Sequence, residues 1–152
     1  MPVGAFGAGV EVAEVLVQQS SGRQRAQPGV AVTVAWQPEG PWGLMVEGIG
    51  SVADRSSVAV DMTQWLARPA LLATLSLGGE RTRMEVAAGP ALGVTVARWD
   101  TTSVTVLDPC GRLRLGLAGT TGKGFWIVGG VGGAWGAYGG DYDVRAGVRW
   151  AP

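Results

Sequence analysis

Apolar residues recur at every second position through most of the chain, the spacing that sends alternate side chains to opposite faces of a β-strand. The last segment shows it best. Tyr142, Val144, Ala146, Val148 and Trp150 fall on one face, and Asp143, Arg145, Gly147 and Arg149 on the other. Phe6, Ala8, Val10 and Val12 alternate in the same way with Gly7, Gly9, Glu11 and Ala13, and Trp42, Leu44 and Val46 with Gly43, Met45 and Glu47. Helical periodicity is almost absent. Eight strands are predicted, near residues 4–13, 29–37, 42–52, 69–77, 83–97, 112–119, 125–135 and 142–150 of a single domain covering 1–152. Pro90 lies inside the fifth, where it cannot donate to a sheet ladder, so a bulge or a missing bond is expected there.

The predicted connections alternate in length. Those at 38–41, 78–82 and 120–124 are short, those at about 14–29, 53–69 and 98–111 are long, and the one at 136–141 is of moderate length. An up-and-down barrel whose two rims face different surroundings produces this interchange. Alternation alone does not say whether the apolar face points into a soluble barrel or out into lipid; the composition of the other face decides. Charged residues make up only 16% of the chain and 26 residues are glycine, and the second face is mostly Gly, Ala and Thr. Such a wall is too bare to face water but suits the inside of an eight-stranded barrel, which is just wide enough for side chains to fill.

The aromatic residues test this independently, because a lipid-facing barrel gathers them at its strand ends. Phe6, Trp36, Trp42, Phe125 and Trp150 fall beside the short turns or the termini, and Trp65, Trp99, Trp135 and Tyr142 at the opposite ends. Two membrane-interface girdles are expected. The inward ionisable residues would be Glu11, Glu47, Glu85 and Asp143 against Arg112, Arg114, Arg145 and Arg149, four of each sign. Desolvated charges must be paired, so a salt-bridge network that blocks the lumen is expected, with Glu11 and Arg145 as the best single pair.

Composition removes several kinds of chemistry. The chain has no His, which excludes Ser-His-Asp and Cys-His catalysis, and its one Cys allows neither an intramolecular disulfide nor a cysteine-rich metal site. No cofactor, metal or catalytic residue is expected. Zero formal net charge with a single Lys lacks the basic footprint of nucleic-acid binding. The run Gly129-Gly130-Val131-Gly132-Gly133 has no following Lys-Ser/Thr and opens no helix, so glycines making room for opposing Arg side chains explain it better than a phosphate loop. No stretch reaches the length of an apolar transmembrane helix.

With these features the chain resembles the small eight-stranded bacterial outer-membrane barrels of the OmpA/OmpX type. The resemblance is one of pattern over almost the whole chain. It includes the closing strand Tyr142 to Trp150, similar to the C-terminal targeting signal of such barrels and followed here by Ala151 and Pro152. It implies an all-β, eight-stranded antiparallel up-and-down transmembrane barrel in the bacterial outer membrane, inserted by the barrel assembly machinery. It also implies short turns at the periplasm and long loops outside the cell. The opening Met-Pro-Val-Gly shows no signal peptide, which such a protein would have had removed or replaced.

The resemblance says little about activity, since one barrel hosts many roles. The long connections carry strand-like pieces at Val15–Val17, Val58–Met62 and Thr102–Leu107, which would form a protruding sheet able to contact an outer-membrane or extracellular protein partner. Trp65, Asp108 and Cys110 are the candidate loop contacts. The reading is therefore a non-enzymatic structural or interaction component of the outer membrane. Two alternatives stand beside it: a soluble lipocalin-like or avidin-like carrier of a small hydrophobic ligand, and a narrow pore.

Overall fold

The computed structural model describes residues 5–18, 24–38, 40–56 and 61–151. Eight antiparallel strands close on themselves: β1 (Ala5–Gln18), β2 (Gln24–Gln37), β3 (Trp42–Ser56), β4 (Asp61–Gly78), β5 (Thr82–Trp99), β6 (Thr102–Gly122), β7 (Phe125–Gly136) and β8 (Gly139–Trp150). Each pairs with its neighbours in sequence, and β8 returns to β1. The register can be followed once round. Arg149 pairs with Gly9, then Thr33, Glu47, Ala70, Ala91, Cys110 and Gly136 follow, and Gly136 pairs with Gly139. The circuit thus returns to β8 ten residues from its start, a stagger that tilts the strands by about 40° from the barrel axis.

The alternation of the sequence becomes inside and outside. Even residues of β1 and β8 point out and odd ones in, so Val12 is 68% exposed while Glu11 is 0% exposed. Val30, Val32, Val34, Leu44, Val46, Leu113, Leu115, Leu117, Ile127 and Val148 continue the apolar outer wall. No water-soluble barrel carries such a belt uncovered. This arrangement removes the carrier alternative, which needs Val, Leu and Trp inside and Arg145 and Arg149 outside. The interior holds small clusters, Ala13, Val15, Ala31, Ile49 and Leu66 toward one end and Ala118, Trp126, Val128 and Ala151 at the other.

The strands are longer than the alternation predicts. Most of 14–29, 53–69 and 98–111 is not loop but strand, because both members of each hairpin extend together and satisfy each other's backbone. Val15–Val17 belong to β1 and Thr102–Leu107 to β6; Met62 lies in β4, and residues 58–60 lie outside the described residues. The β5–β6 connection is only Asp100 and Thr101, with Asp100 at φ 50°. Pro90 stays in register with Gly111 on β6; the bond it removes is on the β4 side, where Gly89 and Pro90 have no ladder partner yet the register is the same on either side of them, so there is no bulge. The register slips instead at Thr120/Gly122, beside the turn where Lys123 has φ 54°. Ala151 donates its N–H to the Gly124 carbonyl at 2.7 Å, tying the end of β8 to the same turn.

Candidate functional site

Ionisable side chains from six strands meet inside the bore at three levels. In the middle, the Arg114 Nη2 donates to both carboxylate oxygens of Glu11 at 2.9 and 3.0 Å, and its Nη1 reaches Glu47 Oε2 at 3.4 Å. Arg112 Nε donates to Glu47 Oε1 and Arg145 Nη1 to Glu47 Oε2, both at 2.7 Å. Asp143 lies 2.7 Å from Arg112 Nη2 and 2.9 Å from Arg145 Nε. Three carboxylates and three guanidiniums therefore balance. Nearer the rim of the 38–41 and 123–124 turns, Arg149 grips Glu85 with both Nη atoms at 2.5 and 3.0 Å. Nearer the other rim, Arg68 makes the same two-pronged contact with Asp141.

All eight bore residues expected from the sequence point inward and are buried. The pair Glu11–Arg145 is not the principal one. The β1–β8 register sets Glu11 opposite Gly147 and Arg145 opposite Ala13, so Arg145 Nε stays 3.9 Å from Glu11 Oε2. The arginine fork from β6 takes Glu11 instead. The Arg68–Asp141 pair adds to the eight residues that the alternation places in the bore. Both residues fall just outside the predicted strands, and only extending the inward set of Leu72 and Thr74 back through Ala70 reaches Arg68.

Glycine makes room for this network at one position that matters. A Cβ on Gly132 would lie 2.7 Å from Arg112 Nη2 and 3.0 and 3.1 Å from the Asp143 carboxylate oxygens. Gly132→Val is expected to push the two groups apart and to cost about 1–3 kcal/mol, read as a lower urea midpoint of the refolded barrel. Below the network, Arg83 lies 5.1 Å from the centroid of the Trp126 ring, and its Nη1 donates to Gln37. Between Met45, Thr74, Glu85 and Arg149 remains a gap of about 10 Å³, about the size of a single water.

The outer wall carries two aromatic bands. Phe6 pairs with Trp36 and stacks on it at 6.4 Å, Phe125 pairs with Trp150, and Trp42 lies at the start of β3 on the same rim. At the other rim Trp135 meets Tyr142 edge-on at 5.7 Å, its Nε1 3.4 Å from the phenol oxygen. Phe6 and Leu16, the partner of Tyr142, are ten residues apart on β1. At the rise of a tilted strand the bands are roughly 20–25 Å apart, the height of a membrane-spanning apolar belt. Trp99 is not in this band. It stands three residues beyond Val96, the partner of Trp65, at the tip of the β5–β6 hairpin and on the inward-facing side of β5.

The candidate loop contacts are also placed differently from expectation. Trp65 lies on β4 and projects from the outer wall; it joins the upper aromatic band rather than a loop. Asp108 and Cys110 share the inward parity of Arg112 and Arg114 on β6. They line a cavity of about 200 Å³ at the bore's upper mouth with Gln64, Arg68, Thr95 and Tyr138. Asp108 Oδ1 accepts the Ala137 N–H at 3.1 Å.

An apolar wall between two aromatic bands, closed round a charged interior, defines an eight-stranded transmembrane β-barrel, and the fold is that of the OmpA/OmpX-type outer-membrane proteins. Solved structures with the same fold include Neisserial surface protein A, which is 10% identical with a TM-score of 0.78, covering 95% of this chain and 96% of that one. The attachment invasion locus protein Ail of Yersinia pestis is also 10% identical, with a TM-score of 0.72 and 99% of each chain covered. The N-terminal barrel domain of Pseudomonas aeruginosa OprF is 15% identical, with a TM-score of 0.66 over 96% of this chain and 97% of that one. No protein-family model matches the chain, and no curated protein matches it in sequence.

Proposed function

We propose that the protein is a non-enzymatic outer-membrane barrel whose lumen is plugged and whose function lies in its outer rim, where it contacts a protein partner. The barrel assembly machinery would insert it, with the rim that carries the 38–41, 79–81 and 123–124 turns at the periplasm. The observation that carries this reading is the pairing of every described carboxylate in the bore proper with an arginine, over a stopper of Trp126 and Arg83. A pore needs a continuous wet path, whereas guanidiniums held by two or three carboxylates have little freedom to swing aside. Among the described residues, the same pairing leaves no carboxylate of the bore proper with the unpaired, cleft-facing environment that acid–base catalysis requires.

The test is to express the chain behind a secretion signal and run the detergent-extracted outer-membrane fraction on a gel with and without boiling. A heat-dependent mobility shift is expected, and the purified barrel is expected to show no steady ohmic conductance in a planar bilayer. A protein that stays in the soluble fraction overturns the membrane reading; a steady conductance overturns the plug.

A further inference from the structure

The rim of the barrel has a step. The β6–β7 ladder ends at Cys110 and Gly136, and β7 then turns back through Ala137 and Tyr138. β6 continues eight residues further, Thr102 to Pro109, paired only with β5. Thr102–Leu107 is exposed on both faces. This stretch is an unpartnered sheet edge.

Its hydrogen-bonding direction follows from the rest of the strand. Thr120 donates to the Arg81 carbonyl on the β5 side at 2.9 Å, so even residues of β6 bond to β5 and odd ones face the other way. A Cβ built on Gly130 of β7 would lie 2.4 Å from the Leu115 carbonyl oxygen, which confirms the odd set. The N–H groups of Ser103, Thr105 and Leu107 therefore point into the step. Pro109, which has no N–H, closes the edge at its base.

We infer that this edge takes up an extended peptide strand from a protein outside the cell, in the place where β7 stops, with a basic side chain over Asp108. The inference rests on the outward orientation proposed above. Strand addition supplies main-chain bonds to the three free N–H groups. Charge selects the side chain. Asp108 stands at the base of the edge over the 200 Å³ cavity, and Asp100 at its tip. Among the described cations near it, Arg68 is held by Asp141, and Arg98 lies one strand in, beside Ser103.

A second copy in the same membrane does not fit. Two upright barrels related by a two-fold axis along the membrane normal would cross their β6 strands at about 80°, since each tilts by about 40°, whereas adjacent strands in a sheet differ by about 20–25°.

The test uses the full barrel refolded in detergent, with two synthetic eight-residue peptides of alternating Thr and Val, one carrying a central Lys and the other Glu. With the Lys peptide, hydrogen exchange at the Ser103, Thr105 and Leu107 amides is expected to slow about tenfold, and the Lys peptide to bind about tenfold more tightly than the Glu peptide. Thr105→Pro removes an edge donor without touching the β5 ladder and is expected to abolish binding, whereas Thr105→Val keeps it; Asp108→Asn is expected to erase the preference for Lys. A barrel that shows the heat-dependent mobility shift yet neither protects these amides nor distinguishes the peptides overturns the inference and leaves the membrane reading standing. Clumping of barrel-bearing vesicles that Thr105→Pro abolishes would overturn it too, making a second copy in an opposing membrane the occupant. Absence of the mobility shift would instead be a failure of the membrane reading.

Discussion

Replacing Glu47 by glutamine is expected to lower the stability of the folded barrel by about 3–5 kcal/mol, the cost of breaking a buried ion pair from one side. Glu47 is the hub of the bore: Arg112, Arg114 and Arg145 all reach it within 2.7 to 3.4 Å. Glutamine keeps the shape and one acceptor oxygen, so the change isolates charge. It leaves three guanidiniums against Glu11 and Asp143 in a site that water does not reach, where repulsion is poorly screened. Urea titration of the protein refolded into vesicles, followed by tryptophan emission, measures the loss. Adding Arg145→Met to Glu47→Gln restores the balance of charge and is expected to recover part of it. An unchanged midpoint for Glu47→Gln would mean that the bore is wet and the network screened.

A second large effect is expected on the opposite face of the same strand that carries Glu11. Val12 is 68% exposed on the outer wall, three outward positions above Phe6 and two below the partner of Tyr142, which puts it near the middle of the apolar belt. Val12→Arg is expected to cost about 2–4 kcal/mol in a bilayer, as a cation near the midplane does. Val148→Arg, one outward position from Trp150 in the lower band, is expected to cost less, because the long side chain reaches the interface. The ordering of the two is the test. A barrel whose outer wall faced water would show little effect from either substitution, and in neither case would depth matter.

The parts of this fold that are legible in the sequence are those set by parity. Strand alternation assigns a face to each residue, so Glu11, Glu47, Arg112, Arg114 and Arg145 are placed in the bore without knowledge of any contact. The lower aromatic band is equally plain, since Phe6, Trp36, Trp42, Phe125 and Trp150 each sit at a strand end. Partner choice is not legible, because an arginine reaches across an eight-stranded bore and the stagger decides which carboxylate it meets. That is why Arg114 on β6, and not Arg145 on the adjoining β8, takes Glu11. Full strand length is not legible for a different reason. Above the membrane both faces are wet and alternation fades, so Thr102–Leu107 shows only as a strand-like piece within a long connection, although it is paired residue for residue with β5. The same extension carries Trp99 above the upper band to a hairpin tip, while Trp65 stays in the band and not in a loop.

The closing strand has a consequence for assembly. β8 supplies Asp141, Asp143, Arg145 and Arg149, one partner or more at every level of the bore. Until it docks, Glu85 lacks Arg149 and Arg68 lacks Asp141, and both would face an open, lipid-bordered trough. An incomplete sheet therefore carries unmatched charge into the membrane, and a sheet closed in a slipped register mismatches every tier at once. The closing strand thus acts as a checksum on the register of all the others: the barrel becomes a low-energy membrane object only when β8 is in place and correctly threaded.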